Sequence, residues 1–224
     1  GAFKPWSSAS CLYYLLLAQQ DHLEKGSLIM RQLKNLAHDS GDSQIIAWTI
    51  CLEGISKFLV NDFDIAEQLL IEASKNLYNI PDYYIFLHAN IYLTETKIQK
   101  GQFQEAAEML KNSKYIIKKY KLVGPFVCGI LVKEARLASL QFKQTRSEKD
   151  RRRAKRTCSI ALKKAKTFQN YYPEALVAKA SLDYLSGGRK YRSIFQESIN
   201  FSESFGSNLH SRFVKSEMKN LLGE

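Results

Sequence analysis

Helical periodicity runs through almost the whole sequence, and this constrains the fold more than any other feature. Apolar residues at Ile65, Ala66, Leu69, Leu70 and Ala73 follow the i, i+3, i+4, i+7 spacing that places them on one helix face. Strand-type alternation is missing, and 11 Gly and 4 Pro are too few for the tight turns of a β-sandwich or barrel. The sequence therefore predicts an all-α chain. The eleven predicted helices lie near 9–21, 27–39, 43–60, 63–78, 82–100, 103–120, 125–145, 148–168, 173–186, 190–204 and 208–221.

Prolines mark a repeat within this helical pattern. Pro81, Pro125 and Pro173 are each predicted to open a helix, because proline lacks the N–H that has no partner in the first helical turn. Each is followed by a helix, a turn that is polar or contains Gly, and a second helix. Small or apolar residues recur at the same offsets in the second helices, which predicts antiparallel helix pairs with a period of 40 to 48 residues. These sets are Ala66-Leu70-Ala73, Ala106-Leu110-Ser113 and Ala154-Cys158-Ala161.

The turn residues and the packing residues that follow them resemble the tetratricopeptide repeat. Gly54 also lies where the first helix of that family needs a small residue. The resemblance implies a right-handed α-solenoid, a single domain over 1–224 with helix pairs near 9–39, 43–78, 82–120, 125–168 and 173–204 and a capping helix at 208–221. Two copies of the motif match closely, Asn61-Phe63-Ala66-Leu70-Ala73 and Gly101-Phe103-Ala106-Leu110-Ser113. A third copy, Lys149-Arg151-Ala154-Cys158-Ala161, lacks the turn Gly and the aromatic residue, and a fourth, Tyr191-Phe195-Ser198, is weaker still.

The predicted unit is longer than the standard repeat of about 34 residues. Such long-helix variants are similar to the repeat regions beside nucleotide-cyclase or ATPase modules in large signalling proteins, and residues 173–207 are the most similar stretch. They are also similar to cargo binders of the kinesin-light-chain type. The resemblance implies a non-catalytic protein–protein interaction or scaffold module, a regulatory region of a larger cytoplasmic protein. The start Gly-Ala-Phe, without an initiator Met, favours a fragment of such a protein.

In a solenoid of this kind the first helix of each pair lines the concave surface and supplies the binding residues. The positions predicted to face this groove are mostly apolar, so they suit an amphipathic helix or a hydrophobic peptide from another protein. Alternatively, they form core between neighbouring repeats. The Lys and Asn set with which some members hold a terminal carboxylate is missing. The predicted groove residues are Trp48, Cys51, Ile55, His88, Ile91, Tyr92 and Glu95.

Basic residues concentrate in one segment, 141–170, which contains eleven Lys or Arg against two acidic residues. This segment supplies most of the formal net charge of +11. One interpretation is a docking patch for an acidic protein, a phosphate-bearing lipid or nucleic acid, and the other is a solvated helix face. A helical repeat that binds nucleic acid is accordingly the alternative function. The predicted patch residues are Arg151, Arg152, Lys155, Arg156, Lys163 and Lys166.

The sequence gives little support for catalysis, a metal or another cofactor. Its four histidines are scattered, its four cysteines form no CxxC pair, and it contains no glycine-rich phosphate loop and no Gly-x-Ser-x-Gly motif. An enzymatic alternative would require a pocket with two or more buried titratable groups. No apolar run approaches the roughly 20 residues that span a bilayer, and the cysteine usage suits a reducing, cytoplasmic compartment.

Overall fold

A computed structural model describes residues 3–20 and 22–223 of the chain, and all regular secondary structure in this part is helical. The predicted all-α fold and its succession of helices are confirmed: helices make up 85% of the structure, and no strand occurs among the described residues. Their bounds are α1 Phe3–Gln19, α2 Leu23–Ser40, α3 Ser43–Leu59, α4 Phe63–Asn79, α5 Tyr83–Gln99, α6 Phe103–Lys119, α7 Pro125–Thr145, α8 Glu148–Ala165, α9 Tyr172–Leu185, α10 Tyr191–Ser204 and α11 Asn208–Leu222, with a 3-10 turn at Gln169–Tyr171.

The first six helices repeat at an interval of 40 residues. Helices α1, α3 and α5 begin at Phe3, Ser43 and Tyr83, and α4 and α6 begin at Phe63 and Phe103. The small and apolar residues that define the predicted repeat are buried, since Ala66, Leu70 and Ala73 are fully buried and their counterparts in α6 and α8 are at most 3% exposed. Those counterparts are Ala106, Leu110 and Ser113 in α6, and Ala154, Cys158 and Ala161 in α8.

The turns between helices repeat the same hydrogen bonds. Between α3 and α4 the Asp62 N–H donates to the Lys57 carbonyl at 2.9 Å, and between α5 and α6 the Gln102 N–H donates to the Lys97 carbonyl at 2.9 Å. The residue before each donor has a left-handed backbone, Asn61 with φ 62° and Gly101 with φ 73°. This pattern closes a helix with the Schellman motif and favours Gly or Asn at the left-handed position. The turns after α9 and α10 have the same bond, at 2.8 and 2.9 Å.

Replacing Gly101 tests the backbone requirement of this turn without altering its packing. A Cβ at Gly101 would meet no atom within 4 Å, so the change acts through the positive φ alone. We expect Gly101→Ala to lower the free energy of unfolding by about 1 kcal/mol. Gly101→Asn is the control, because Asn occupies the equivalent position 61 and tolerates this conformation. Urea unfolding should rank the variants Gly, Asn, Ala, and an equal loss for Asn and Ala would contradict the argument.

The contacts divide the chain into two compact units, residues 1–116 (unit 1) and 117–224 (unit 2). In unit 1 each helix from α2 to α5 packs on the helix before it, and α3 also packs on α1 and on α5. In unit 2 the same scheme holds, since α9 packs on α8 and α10 and also on α7 and α11. Each unit is therefore a sequential stack of helix pairs in which odd-numbered helices touch one another.

The structure corrects two predicted helix starts. Pro81 lies in the turn before α5, which begins at Tyr83 and is capped by Asp82, whose Oδ1 accepts from the Ile85 N–H at 3.3 Å. The first helix begins at Phe3 and not near residue 9, and Pro5 lies within its first turn, where proline is tolerated. Pro125 and Pro173 do stand in the first two positions of α7 and α9, as predicted.

Candidate interaction surfaces

Helix α8 carries the predicted basic patch, and its two faces have opposite chemistry. Ser147 caps its start, accepting from the Asp150 N–H at 3.1 Å while its own hydroxyl donates to Asp150 Oδ2 at 2.7 Å. The face that packs on α7 and α9 is small and uncharged. All six predicted patch residues lie on the exposed remainder of the helix or directly after it. The buried residues are Ala154, Thr157, Cys158, Ala161 and Ala165.

Four of these cations form a line on the side of α8 opposite the buried face. Arg152, Arg156, Lys163 and Lys166 follow the spacing i, i+4, i+11 and i+14, which keeps them on one side of a helix with 3.6 residues per turn. All four are exposed. We call this row, with Lys155 beside it, the basic stripe. It extends for about 21 Å along the helix at 1.5 Å per residue.

Among the described residues, the ion pairs of α8 are confined to the start of the helix. Glu148 Oε2 accepts from Arg151 Nε at 2.6 Å and Glu148 Oε1 accepts from Arg152 Nε at 3.0 Å. These hydrogen bonds lower the pKa of Glu148 to about 2. Further along the stripe, four cations have no carboxylate within 4 Å in the described part of the chain. They are Lys155, Arg156, Lys163 and Lys166.

Net charge differs strongly between the two units. Residues 1–116 contain 10 Lys or Arg and 13 Asp or Glu, a formal charge of −3, whereas residues 117–224 contain 23 and 9, a formal charge of +14. The excess of the whole chain thus resides in unit 2, and the basic stripe is its most concentrated part. A surface with this charge attracts anionic partners over a distance of about 10 Å at moderate salt.

The predicted groove residues are brought close together but are largely buried. Phe58 of α3 contacts Tyr92 of α5 with ring centroids 5.5 Å apart, and Tyr92 contacts His88 at 5.4 Å. Trp48 and Tyr92 are half-buried, and Trp48 Nε1 donates to Asp82 Oδ2 at 2.8 Å. The other five members, Cys51, Ile55, His88, Ile91 and Glu95, are buried.

Burial also changes the acidity of a titratable side chain in this predicted groove. It lowers the pKa of His88 to about 4, so its imidazole is neutral at pH 7. Glu95 Oε1 accepts from Gln99 Nε2 at 3.0 Å. Among the seven positions, only Trp48 and Tyr92 present substantial surface to a partner in this structure. The role of the set in partner binding remains a prediction.

Unit 2 contains a buried ionic cluster that the sequence analysis did not identify. Lys133 Nζ lies 2.6 Å from Glu174 Oε2, and His210 Nε2 lies 3.5 Å from Glu174 Oε1. Beside them Arg136 donates to both carboxylate oxygens of Glu217 and lies 5.1 Å from the centre of the Phe213 ring. The signal in the sequence was the pair of cations, Lys133 and Arg136, which lie three residues apart on the side of α7 that is mostly apolar and buried.

This cluster joins three helices of unit 2. Burial would raise the pKa of Glu174, but Lys133 and His210 outweigh it and hold that pKa well below its usual range. The carboxylate is therefore charged and already engaged by α7 and α11. These groups serve to hold α7, α9 and α11 of unit 2 together.

Burial makes the cysteine thiols weaker acids than an exposed cysteine. Burial raises the pKa of Cys11 and Cys128 to about 12 and that of Cys158 to about 11, and it raises the pKa of Cys51 as well. A thiol must lose its proton to attack or to bind a metal. Within residues 3–20 and 22–223, no three His, Cys, Asp or Glu side chains gather as a metal site would require.

In the described residues there is no helix whose length and apolar character would let it span a bilayer. No model of a known protein family matches this chain, and no curated protein matches it.

Proposed function

We propose that the chain is a non-catalytic protein–protein interaction module, built as a right-handed solenoid of tetratricopeptide-like helix pairs, in a larger cytoplasmic signalling protein. Support comes from the interval of 40 residues between equivalent helices and from the shared turn hydrogen bonds. The close approach of α3 to α4 at Gly54 also supports the proposal, because a Cβ at this position would lie only 2.8 Å from Leu70 Cγ. Stacked helix pairs present extended surfaces and serve mainly to hold other molecules.

The basic stripe is the observation that carries the functional part of the proposal. Lys155, Arg156, Lys163 and Lys166 are exposed and have no carboxylate partner in the described structure, so an acidic protein can supply one. Exposed charges of this kind speed association more than they strengthen a complex. Affinity of such a complex would come from apolar contacts. Within unit 1, the half-buried Trp48 and Tyr92 offer apolar surface of their own to a partner.

Charge reversal tests the stripe. We expect Arg152→Glu, Lys155→Glu and Arg156→Glu together to abolish binding of a fluorescein-labelled polyglutamate probe, read by anisotropy at low salt, while the circular dichroism spectrum stays unchanged. The matched control reverses three exposed lysines of unit 1, Lys25, Lys75 and Lys111, and so changes the total charge equally. Binding that falls equally in both variants would show that only net charge matters. Loss of helix in the stripe variant would assign these residues to packing.

Nucleic acid is the second candidate partner, favoured by the charge of +14 in residues 117–224. A nucleic-acid interface would show an affinity that falls steeply between about 50 and 200 mM salt. Single-stranded bases stack on exposed aromatic residues that are interleaved with the charges, and the stripe does not have such residues. Phe168 beside the stripe is half-buried, and Lys164 Nζ lies 5.6 Å from the centre of its ring. A gel shift with 20-nucleotide RNA across that salt range decides between the two. Absence of a shift at 50 mM would eliminate nucleic acid.

A further inference from the structure

An exposed serine lies at the centre of the basic stripe. Ser159 of α8 follows Lys155 and Arg156 by four and three residues and precedes Lys163 by four. Side chains at these separations are neighbours on a helix surface, with Cβ atoms about 6 Å apart. These three cations belong to the four of the stripe that have no carboxylate within 4 Å in the described structure. A negative group attached to the Ser159 oxygen would therefore meet three cations that can bind it.

The structure distinguishes this hydroxyl from that of Thr157, which follows the same run of basic residues. Thr157 is 8% exposed, and its Oγ1 donates to the carbonyls of Arg153 and Ala154, each at 3.1 Å. It lies on the side of α8 that packs on α7 and α9. Ser159 is exposed on the side of the cations. Of these two hydroxyls, Ser159 is therefore the one that another protein can reach.

Helix packing does not explain the cations that precede Ser159. Ala154 of α8 is the counterpart of Ala66 in α4 and Ala106 in α6, and all three alanines are fully buried. Counted from these alanines, the positions of Lys155 and Arg156 hold acidic or neutral side chains in the other two helices. The second helix of a pair therefore packs without cations at these positions. The counterparts are Glu67 and Gln68 in α4, and Ala107 and Glu108 in α6.

We propose that Ser159 is a phosphorylation site whose phosphate switches off the basic stripe, an inference that rests on the proposed function of the stripe. The Ser159 oxygen attacks the γ-phosphorus of a nucleoside triphosphate bound to a protein kinase. The bond between oxygen and phosphorus forms, and the bond from that phosphorus to the bridging oxygen breaks. The nucleoside diphosphate leaves, and the hydroxyl proton passes to a base of the kinase. A kinase with an acidic substrate groove recognises the cations before Ser159.

The phosphate acts on the stripe through its charge. A phosphoserine carries a charge of about −1.5 to −2 at pH 7 and has three strong acceptor oxygens. Lys155, Arg156 and Lys163 are close enough along the helix to donate to these oxygens. They are then no longer available to the carboxylates of an acidic partner, and the phosphate itself repels those carboxylates. Phosphorylation therefore removes three of the four unpaired cations of the stripe at once.

Phosphoserine incorporated at position 159 during translation tests the switch. The fluorescein-labelled polyglutamate probe is titrated by anisotropy at low salt with this protein and with the wild type. The control protein has phosphoserine at position 216, because Ser216 is exposed on α11 of the same unit and lies between Arg212 and Lys219 at helical spacing. Both phosphates change the net charge equally. We expect the phosphate at Ser159 to weaken binding at least tenfold and the phosphate at Ser216 to weaken it less than threefold.

A kinase reaction on the intact, unmodified protein tests Ser159 as the acceptor. The reagents are ATP and the catalytic subunit of cAMP-dependent protein kinase, which acts on serines that follow arginine. Arg156 stands three residues before Ser159 and supplies this feature. We expect mass spectrometry to locate a phosphate on Ser159, and this phosphate to be missing from Ser159→Ala.

The switch is overturned if both phosphates weaken binding equally, if the phosphate at Ser159 leaves binding unchanged, or if the kinase does not modify Ser159. Loss of helix in the circular dichroism spectrum of the protein phosphorylated at Ser159 would also overturn it, because the phosphate would then act by unfolding. In all of these cases the wild type still binds polyglutamate, so the proposed function of the stripe stands. A wild type that does not bind the probe would contradict the proposed function and this inference together.

Discussion

Glu174→Gln should lower the free energy of unfolding by about 3 kcal/mol, because it removes the carboxylate from a buried ion pair. The Lys133 and Glu174 side chains are 5% and 14% exposed, and their charged atoms lie 2.6 Å apart. Glutamine keeps the size of the side chain but leaves the buried ammonium without this counter-charge. Breaking such a pair costs more than the pair itself contributes, since a charge remains in a poorly solvated site.

The control for this variant is an exposed ion pair in the same unit. Glu203 lies 3.0 Å from Lys215, with 51% and 53% of the two side chains exposed, so Glu203→Gln should change the free energy of unfolding much less than Glu174→Gln does. Urea unfolding of both variants at pH 7 makes the comparison. Equal losses would mean that burial of the Lys133 pair contributes nothing, and the account of the cluster would be wrong.

The same pair predicts a dependence on pH. The pKa of Glu174 is lowered in the folded protein, so the unfolded chain binds its proton more readily. The stability that Glu174 contributes is therefore complete above the unfolded-state pKa of about 4.3 and is lost as the pH falls below it. The groups that face this carboxylate are Lys133 from α7 and His210 from α11. The difference in unfolding free energy between wild type and Glu174→Gln should shrink between pH 5 and pH 3.

The helices were predictable because their signals are local. Asn61 and Gly101 end α3 and α5 through a backbone conformation that few residues adopt, and the apolar spacing fixes which side of each helix is buried. Pro81 was misassigned, since the residue after it, Asp82, provides a better cap and the sequence does not say which of two adjacent start signals is used. Local patterns therefore determine the helices to within a few residues.

The ionic cluster and the state of the predicted groove depend on contacts between distant parts of the chain. Lys133 and Glu174 are 41 residues apart, and Arg136 and Glu217 are 81 apart, so no local pattern could pair them. Likewise, the helical spacing of Ile55 and Ile91 identifies an apolar side without saying whether another helix covers it. The structure shows that both are buried. The basic stripe was predictable because a charged helix face needs no partner to be recognised.

Gly54→Leu should lower the free energy of unfolding by about 3 kcal/mol, because α3 and α4 approach too closely for a side chain at this position. A Cβ would lie 2.8 Å from Leu70 Cγ and 3.3 Å from Leu69 Cβ. Leu70 is fully buried, so it has little room to move aside. The higher helix propensity of Leu, worth about 1 kcal/mol over Gly, offsets only part of this cost.

A double-mutant cycle separates this close approach from a general effect on the helix. Leu70→Ala alone should cost between about 2 and 5 kcal/mol through the cavity it leaves. In the double variant the new leucine occupies the space that Leu70 vacates, so the two losses should fall short of additivity by at least about 1 kcal/mol. Urea unfolding of the four proteins measures this coupling. Strict additivity would mean that residues 54 and 70 do not compete for the same space, and the requirement for a small residue in the first helix of the pair would then need another cause.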